Sequence, residues 1–194
     1  MGFVAVTLAL VMNELSRFEV EVISKDWEVD IDALVDEQAA LAIADEAGRL
    51  THLHLVVLQA RRAGHHRDDA RYRLVLGPPL ARLTLRVNHC IFQEKSTQQI
   101  VAEVLQKAGV PSASIKWRLG GQYALRTYTV QYGESDWDFI ARLLADDGIN
   151  VWSDYDGETT SIVFGDGTAS HESLVGDGAI VPFQDASGLQ ARGF

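Results

Sequence analysis

The alternation of apolar and polar positions predicts strands in the first part of the chain. Phe18, Val20 and Val22 alternate with Glu19 and Glu21, as in a strand with one face in the core and the other in water. Other segments are rich in the Leu, Val and Thr residues that favour strands. The strands predicted in this way cover residues 3–12, 17–22, 41–44, 50–60 and 71–76.

The connections between these strands are less regular. Residues 61–69 are polar and basic and predict a loop, whereas 45–48 (Asp-Glu-Ala-Gly) predict a turn. Residues 30–35 fit one short helical turn. The alanines of residues 37–47 favour a helix by propensity, but we interpret the middle of this segment as a strand because the turn then leads into the next strand.

The segment that follows Gly77 is open to two interpretations. Residues 80–88 form either a strand or an irregular edge segment. In a strand, Leu83, Leu85 and Val87 would share one apolar face.

The apolar spacing changes to that of a helix at two places in the second half. Ser96 and Gln99 form a capping-box pattern ahead of a helix that ends at Gly109. Ser135 is a predicted N-cap with acidic residues in the first turn, and Gly148 ends this second helix. The apolar residues predicted to face the core are Ile100, Val101, Val104, Leu105, Phe139, Ile140, Leu143 and Leu144.

Further strands are predicted around these helices. They cover residues 115–119 and 123–132, and residues 149–155 and 160–164 form a hairpin through the Asp-Gly pair at 156–157. Clustered strands with two helices indicate the α+β fold class rather than a doubly wound sheet.

Composition and charge argue against several classes of function. The net charge of −10 argues against general nucleic-acid binding. Cys90 is the only cysteine, so no intrachain disulfide can form. The apolar run at 3–12 is too short to span a bilayer and lacks the basic region of a signal peptide. Residues 61–95 carry a net charge of +5, whereas residues 134–158 carry −7.

Few side chains have a spacing typical of metal binding or catalysis. His52 and His54 would leave the same face of a strand, but no third metal ligand is evident. His89 and Cys90 are neighbours in a strand and point to opposite faces, so they could not activate each other.

The acidic and aromatic residues have structural explanations too. The helix N-terminus accounts for the acids at 134–138, and those at 154–158 lack the spacing of a calcium loop. We therefore expect no catalytic residue, no cofactor and no metal ion. The aromatic residues could form a carbohydrate platform, but we assign them to the core and an assembly surface. They are Trp117, Tyr123, Tyr128, Tyr132, Trp137 and Trp152.

Two blocks of sequence resemble a known family. The second block in the chain contains Gln131-Tyr132-Gly133-Glu134-Ser135-Asp136, Asp138-Phe139, Arg142-Leu143 and Gly148-Ile149. The first contains Tyr72-Arg73-Leu74-Val75-Leu76, Pro79-Leu80, Leu83 and Ile91-Phe92-Gln93-Glu94-Lys95-Ser96, followed by Ile100, Val104 and Leu105. In this order and separation they resemble the hub region of VgrG proteins, the spike proteins of bacterial type VI secretion systems. That family is related to the tail-hub proteins of contractile phages.

The resemblance implies a structural protein and not an enzyme. It implies a homotrimeric, tube-like platform that sits on the stacked-ring Hcp tube and carries an OB-fold and a β-helical spike. The expected partners are further copies of the chain, an Hcp-type tube protein, the OB-fold and spike of the same protein, and effectors. The platform would be assembled in the bacterial cytoplasm and then translocated by the contractile apparatus.

The resemblance also implies a division of the chain. We predict a β-rich, barrel-like hub domain over residues 1–88, whose completeness is left open. A smaller α+β domain with two helices would cover residues 89–166, and an irregular tail residues 167–194. Because family members continue with the rest of the hub, the chain is expected to be an N-terminal part or a truncated homologue.

Three other functions stay open at this point. A tail hub of a contractile phage shares the same family. A cell-wall hydrolase is the alternative among enzymes, because spike proteins sometimes carry enzymatic extensions. A carbohydrate- or peptide-binding module would use the aromatic residues.

The uneven charge suggests how copies would meet. A cyclic trimer joins two different surfaces of neighbouring copies. We expect the segment with Arg61, Arg62 and Arg67 to face acidic surface on the next copy. The rival interpretation is that both patches are solvated, or that the basic segment contacts its own chain. Exposed ion pairs contribute only about 0–1 kcal/mol each, so buried apolar area must supply most of the affinity.

Overall fold

The computed structural model describes residues 2–9, 12–44, 50–155 and 160–171. In these residues, ten strands lie in three sheets, accompanied by two α-helices and short 3₁₀ helices. The predicted turn at 45–48, the Asp-Gly pair at 156–157 and most of the predicted tail lie outside the described residues.

A five-stranded antiparallel sheet contains the first half of the chain. Its order is β1-β2-β5-β4-β3. The strands are β1 (Gly2–Ala9), β2 (Arg17–Ser24), β3 (Gln38–Ala44), β4 (Leu50–His66) and β5 (Asp69–Gly77). The alternation in β2 buries Phe18 and Val20 on the face where they pair with Leu76 and Leu74 of β5.

This sheet is open in the described part of the chain. β1 and β3 lie at opposite edges, and no pairing joins them. The barrel-like domain that the resemblance implied is therefore not a closed barrel in these residues, because closure requires the two edge strands to meet. The predicted domain boundaries at residues 88 and 166 stay predictions.

The second half is built from two smaller sheets and both α-helices. A ribbon of two antiparallel strands, β6 and β8, lies beside a sheet of order β7-β10-β9, in which β7 and β10 are parallel. The elements are β6 (Val87–Lys95), α1 (Thr97–Lys107), β7 (Ile115–Arg118), β8 (Arg126–Ser135), α2 (Asp136–Asp146), β9 (Asn150–Asp154) and β10 (Ser161–Gly165). An α+β fold class is thus confirmed.

Both helices begin as the sequence predicts. Ser96 and Gln99 form a reciprocal capping box on α1, and the Ser135 hydroxyl accepts a hydrogen bond of 3.0 Å from the Asp138 amide on α2. Gly148 adopts a left-handed φ of 67° just beyond α2. All eight apolar residues predicted to face the core are buried, and the ring of Phe139 stacks on Phe92 at 5.5 Å.

One prediction of local structure is wrong, and two are right only in part. Residues 79–85 form a 3₁₀ helix and not a strand, because Pro78 and Pro79 favour its start and Leu80 and Leu83 are buried three residues apart. Leu85 is 80% exposed, so the expected apolar face does not exist. The loop predicted at 61–69 is a hairpin. Residues 30–35 form turns with i→i+3 hydrogen bonds rather than a regular helix.

Polar contacts join the five-stranded sheet to the second half. The Asn13 side chain accepts a hydrogen bond from the Val151 amide at 2.9 Å, and the Asn13 amide donates to the Val151 carbonyl at 2.9 Å. The Thr160 hydroxyl donates to the His54 carbonyl at 2.8 Å. These contacts fix the sheet relative to the helical half.

Candidate assembly surface

The three arginines predicted to lie at a subunit interface are on the β4–β5 hairpin. Arg61 and Arg62 lie in β4, opposite Arg73 and Tyr72 of β5, and Arg67 lies in the turn between these strands. The loop prediction was wrong because this end of the hairpin is largely exposed on both faces. Because both faces are in water, the side chains at this end of the hairpin are polar and show no apolar–polar alternation, although the backbones of the two strands remain paired.

The hairpin tip has an unusual backbone. Arg67 has a φ of 54°, in the left-handed region where a non-glycine residue costs about 1–2 kcal/mol. Gly64 has a φ of 100° within the bulge between Arg62 and His65. Glycine is suited to such a bulge because it has no side chain that would be strained.

Arg62 is tied to its own chain. Its guanidinium donates a hydrogen bond to the Trp27 carbonyl and lies 5.9 Å from the centre of the Tyr72 ring. The Trp27 ring in turn stacks on His65 at 6.4 Å, and its indole donates to the Asp68 carbonyl at 3.3 Å. One of the three predicted interface residues therefore holds the hairpin against the segment after β2.

Arg61 and Arg67 differ from Arg62. Both are exposed, and neither forms an ion pair with another described residue. They are the basic side chains of the tip that are available to a neighbour.

The rest of the basic segment is neutralised inside the chain. Five of its eight cations form ion pairs: Arg71 and Arg73 with Glu21, Arg82 with Asp36, Arg86 with Asp136, and Lys95 with Glu103. The hydrogen bond from Arg73, and then that from Arg71, holds the pKa of Glu21 below its usual value. Within residues 61–95, the cations that form no ion pair with a described residue are thus those near the hairpin tip.

The acidic segment is also largely paired. Glu134 binds Arg142 at 2.6 Å, while Asp146 and Asp147 both bind Arg126. Lys116 binds Asp154 at 2.7 Å. Within this segment, the opposite charges of the described residues therefore act mainly inside one copy.

Asp136 is the most deeply buried of these acids. Its carboxylate, 2% exposed, accepts hydrogen bonds from Arg86 at 2.9 Å, Asn88 at 2.8 Å and Gln131 at 2.8 Å. Gln131 lies in β8 and Asn88 in β6, and Arg86 directly precedes β6. The carboxylate thus ties α2 to the ribbon, as expected for a structural role of this acid.

The other candidate chemistry stays dispersed. No group of three potential metal ligands occurs in the described ranges, and His52 and His54 lie on β4 without a third. His89 faces outward against the ring of Tyr132, while Cys90 packs against the core, so the prediction of opposite faces is confirmed. None of the helices in the described segments is long and apolar enough to cross a membrane.

The aromatic residues do not form one platform. The Trp117 ring stacks on Phe164 at 4.4 Å, and the Trp152 ring stacks on His171 at 4.7 Å. Only Tyr128 and Tyr132 of the six aromatic residues considered are exposed.

Sequence reasoning missed a loop clasp around Asp166. Its carboxylate accepts hydrogen bonds from the amides of Gly120 and Gly121 and from the Tyr123 hydroxyl at 2.7 Å. The Gly120 amide, the Tyr123 hydroxyl and the Gly121 amide lower the pKa of Asp166 to about 2. Burial and the Asp166 carboxylate raise the pKa of Tyr123 to about 12. The Gly-Gly pair was the one available signal.

These features define a class: a β-rich α+β structural module whose conspicuous polar groups connect its own elements. The family model of the phage tail baseplate hub (GPD) matches residues 11–193. The chain belongs to this phage tail baseplate hub family.

Individual relatives agree with the resemblance to VgrG proteins. The type VI secretion system spike protein VgrG4b of Pseudomonas aeruginosa is 37% identical over 150 residues, which are 77% of this chain and 18% of that protein. The actin cross-linking toxin VgrG1 of Vibrio cholerae is 30% identical over 160 residues, 81% of this chain and 14% of the toxin. The chain thus spans a fifth or less of the length of these two relatives.

A solved structure supports the same conclusion. An E. coli component of the type VI secretion system, described as structurally similar to the phage T4 tail proteins gp27 and gp5, superimposes with a TM-score of 0.81 at 25% identity. The match covers 88% of this chain and 47% of that one.

Proposed function

We propose that this chain is a hub module of a type VI secretion spike, with a mechanical role and not a catalytic one. The observation that carries the proposal is the match of 88% of the chain to a secretion-system component, at a TM-score of 0.81. Relatives named as spike proteins support it. The matched stretch is 14% of the toxin, so the name of the toxin does not assign a toxin activity to this chain.

In this proposal three copies form the platform on which a spike stands. The platform binds the end of an Hcp-type tube on one side and carries an OB-fold and β-helical spike on the other. It is assembled in the bacterial cytoplasm and leaves with the spike, along with any effector that the spike carries. No nucleic acid takes part, in keeping with the net charge of −10.

Arg61 and Arg67 are the residues that we assign to the contact between copies. Both project from the hairpin tip without an internal partner among the described residues. Arg62 has a different role, because its guanidinium binds the Trp27 carbonyl of its own chain. The charge contact steers association, whereas apolar area supplies the affinity.

A tail hub of a contractile phage is the second candidate. It is favoured by the family model, which is named for the phage baseplate hub. A secretion hub and a phage tail hub share this fold, so the fold cannot distinguish them. The tube protein to which the hub binds can.

Binding to tubes tests the proposed function. Tubes assembled from an Hcp-type protein are mixed with the purified chain and pelleted by ultracentrifugation. We expect saturable co-sedimentation with the tubes and none with a phage tail-tube protein. The opposite preference would assign the chain to a phage particle, and failure to bind either tube would contradict the hub function.

A further inference from the structure

Asp-Gly pairs recur in the second half of the sequence, at residues 147–148, 156–157, 166–167 and 177–178. In such a pair the glycine nitrogen can attack the side-chain carboxyl of the aspartate before it. Glycine has no Cβ and so offers little steric resistance to this attack. The structure describes the pairs at 147–148 and 166–167, and both are therefore candidate sites of a spontaneous backbone rearrangement.

The rearrangement needs no reagent other than water. The glycine nitrogen bonds to the side-chain Cγ, its proton and a carboxyl hydroxyl leave together as water, and a succinimide ring forms. Water then adds to a ring carbonyl and breaks the bond from that carbonyl to the nitrogen. Opening at the side-chain carbonyl restores aspartate, whereas opening at the main-chain carbonyl gives isoaspartate. In isoaspartate the main chain runs through the former side chain and is longer by a methylene group.

At the pair 147–148 the attacking nitrogen is engaged. The Gly148 amide donates a hydrogen bond to the Ala145 carbonyl at 3.2 Å, where α2 ends. The Asp147 carboxylate is also fixed, by an ion pair with Arg126 at 2.8 Å. This pair is therefore restrained by the end of its own helix and by Arg126, and not by the Asp166 clasp.

At the pair 166–167 the carboxyl that would be attacked is engaged. Asp166 Oδ1 accepts a hydrogen bond from the Gly120 amide at 3.0 Å. Asp166 Oδ2 accepts from the Gly120 amide at 2.9 Å, the Gly121 amide at 2.6 Å and the Tyr123 hydroxyl at 2.7 Å. Because a carboxyl oxygen must leave as water, the hydrogen bonds that hold both oxygens oppose the reaction.

The charge of the carboxylate acts in the same direction. The Gly120 amide, the Tyr123 hydroxyl and the Gly121 amide lower the pKa of Asp166 to about 2, so the group is ionised at neutral pH. An ionised carboxylate repels an attacking lone pair and has no hydroxyl to lose. The pKa of Tyr123, raised to about 12 by burial and by Asp166, keeps the phenol protonated as a donor.

Rearrangement at this position would disturb the sheet beside it. Asp166 directly follows β10, the central strand of the β7-β10-β9 sheet. The chain turns back tightly at this point, since a Cβ added at Gly165 would meet the Cβ of Ser170 at 2.6 Å. A longer main chain would displace Ser170 and draw the carboxylate away from Gly120 and Gly121.

We propose that Asp166–Gly167 is a latent site of isoaspartate formation, which the Asp166 clasp keeps unreactive in the folded chain. The clasp then has two roles: it stabilises the fold, and it protects the backbone that follows β10 from a rearrangement that water alone can complete. This inference does not depend on the proposed hub function.

The experiment ages the full chain at neutral pH and physiological temperature. Mass spectrometry with electron-transfer fragmentation locates isoaspartate at 166, and at 147 as an internal reference. Gly121→Ala is the test variant, because a Cβ there would meet Asp166 Oδ2 at 3.1 Å and the Cζ of Tyr123 at 3.4 Å. Gly120→Ala is the matched control, because its Cβ would come no closer than 3.9 Å to the carboxylate.

Tyr123→Phe is a second test variant, which removes a donor and leaves the backbone of the loop unchanged. We expect isoaspartate at 166 to form about tenfold faster in both test variants than in the wild type, since a hydrogen bond to a charged group contributes enough to change a rate by that factor. Gly120→Ala should match the wild type. The rate at 147 should be the same in all four proteins, and circular dichroism checks that each is folded. If Gly121→Ala does not fold, Tyr123→Phe decides.

Either of two results would overturn the proposal. The clasp gives no protection if folded Tyr123→Phe forms isoaspartate at 166 no faster than the wild type, or if the wild type forms it as fast when folded as in urea. A variant in which the rates at 147 and 166 rise together would show that general loosening of the fold, and not the clasp, controls the reaction.

Discussion

Asn13 is one of the residues that connect the two halves of the molecule. Its side chain and backbone together form three hydrogen bonds of 2.9 Å to Asn150 and Val151, across 137 and 138 positions of sequence. It also adopts a left-handed φ of 64°, a conformation that asparagine tolerates better than most residues. The same contacts occupy backbone groups on the free edge of β9, which protects that edge from other pairing.

Replacing Asn13 should loosen this connection. Asn13→Ala loses two side-chain hydrogen bonds, worth about 0.5–1.5 kcal/mol each, and places alanine in a backbone conformation that costs about 1–2 kcal/mol. We expect a loss of about 2–5 kcal/mol in the free energy of unfolding, measured with urea. Asn13→Gly is the matched control, because it loses only the hydrogen bonds and should be less destabilised. Equal stability of Asn13→Ala and the wild type would show that the contact does not hold the halves together.

The Asp166 clasp should make stability depend on acid pH. The folded pKa of Asp166 is about 2, below its ordinary value of 3.8. Its contribution is therefore complete above pH 3.8 and is lost as the pH falls towards 2. Asp166→Asn should be less stable than the wild type at neutral pH, and the two should converge in this acid window. A difference that does not change with pH would contradict the role of the charge.

Tyr123 gives the complementary prediction at alkaline pH. Its folded pKa is about 12, above the ordinary value of 10.0, so its contribution is complete below pH 10 and is lost as the pH rises through 12. The stability difference between the wild type and Tyr123→Phe should shrink across that window in denaturant titrations. A stability difference that is the same on both sides of this window would contradict the role of the Tyr123 hydroxyl.

Neither the contacts of Asn13 nor those of Asp166 could be predicted from the sequence. Asn13 meets Val151 across 138 positions, and Asp166 meets Gly120 across 46. Such partners are set by tertiary packing, whereas Ser96 and Ser135 bond to amides three residues away and could be recognised as caps. The interface role that we propose for Arg61 and Arg67 likewise depends on which cations the fold has already paired.

At the scale of elements, the helices were predictable because local spacing determines them. Phe139 and Leu143 recur on one face of α2, and both are fully buried. The hairpin tip was mistaken for a loop because an exposed strand loses the alternation on which the prediction depends. The 3₁₀ helix at 79–85 was missed because Leu83, Leu85 and Val87 imitate a strand, although only Leu83 is buried.

The packing of α2 can be tested with Phe139→Ala. The side chain is 0% exposed and stacks on Phe92, and truncation of a buried phenylalanine costs about 3–5 kcal/mol. We expect a sharply lower melting temperature. Asp146→Ala on the exposed side of the same helix, whose ion pair with Arg126 is weak at 3.4 Å, should change it little. Similar melting curves for both variants would show that the core face of α2 is assigned wrongly.

At the scale of the whole molecule, the charges of the hairpin tip should tune assembly. Arg61→Glu with Arg67→Glu should weaken association, most clearly at low salt, where screening is least. Arg62 is left unchanged because it holds the hairpin to Trp27. Arg61→Gln with Arg67→Asn is the neutral control, since asparagine suits the left-handed backbone at position 67. Association that responds neither to salt nor to charge reversal would refute the electrostatic contribution.

Self-association of the proposed hub module can be measured through the molar mass of the chain in solution. One copy has a mass of 21.3 kDa, and sedimentation equilibrium over a wide concentration range reports how that mass grows. We predict a rise towards three copies as the concentration increases, with no stable dimer. A chain that remains monomeric at the highest concentration, or that stops at a dimer, would contradict it.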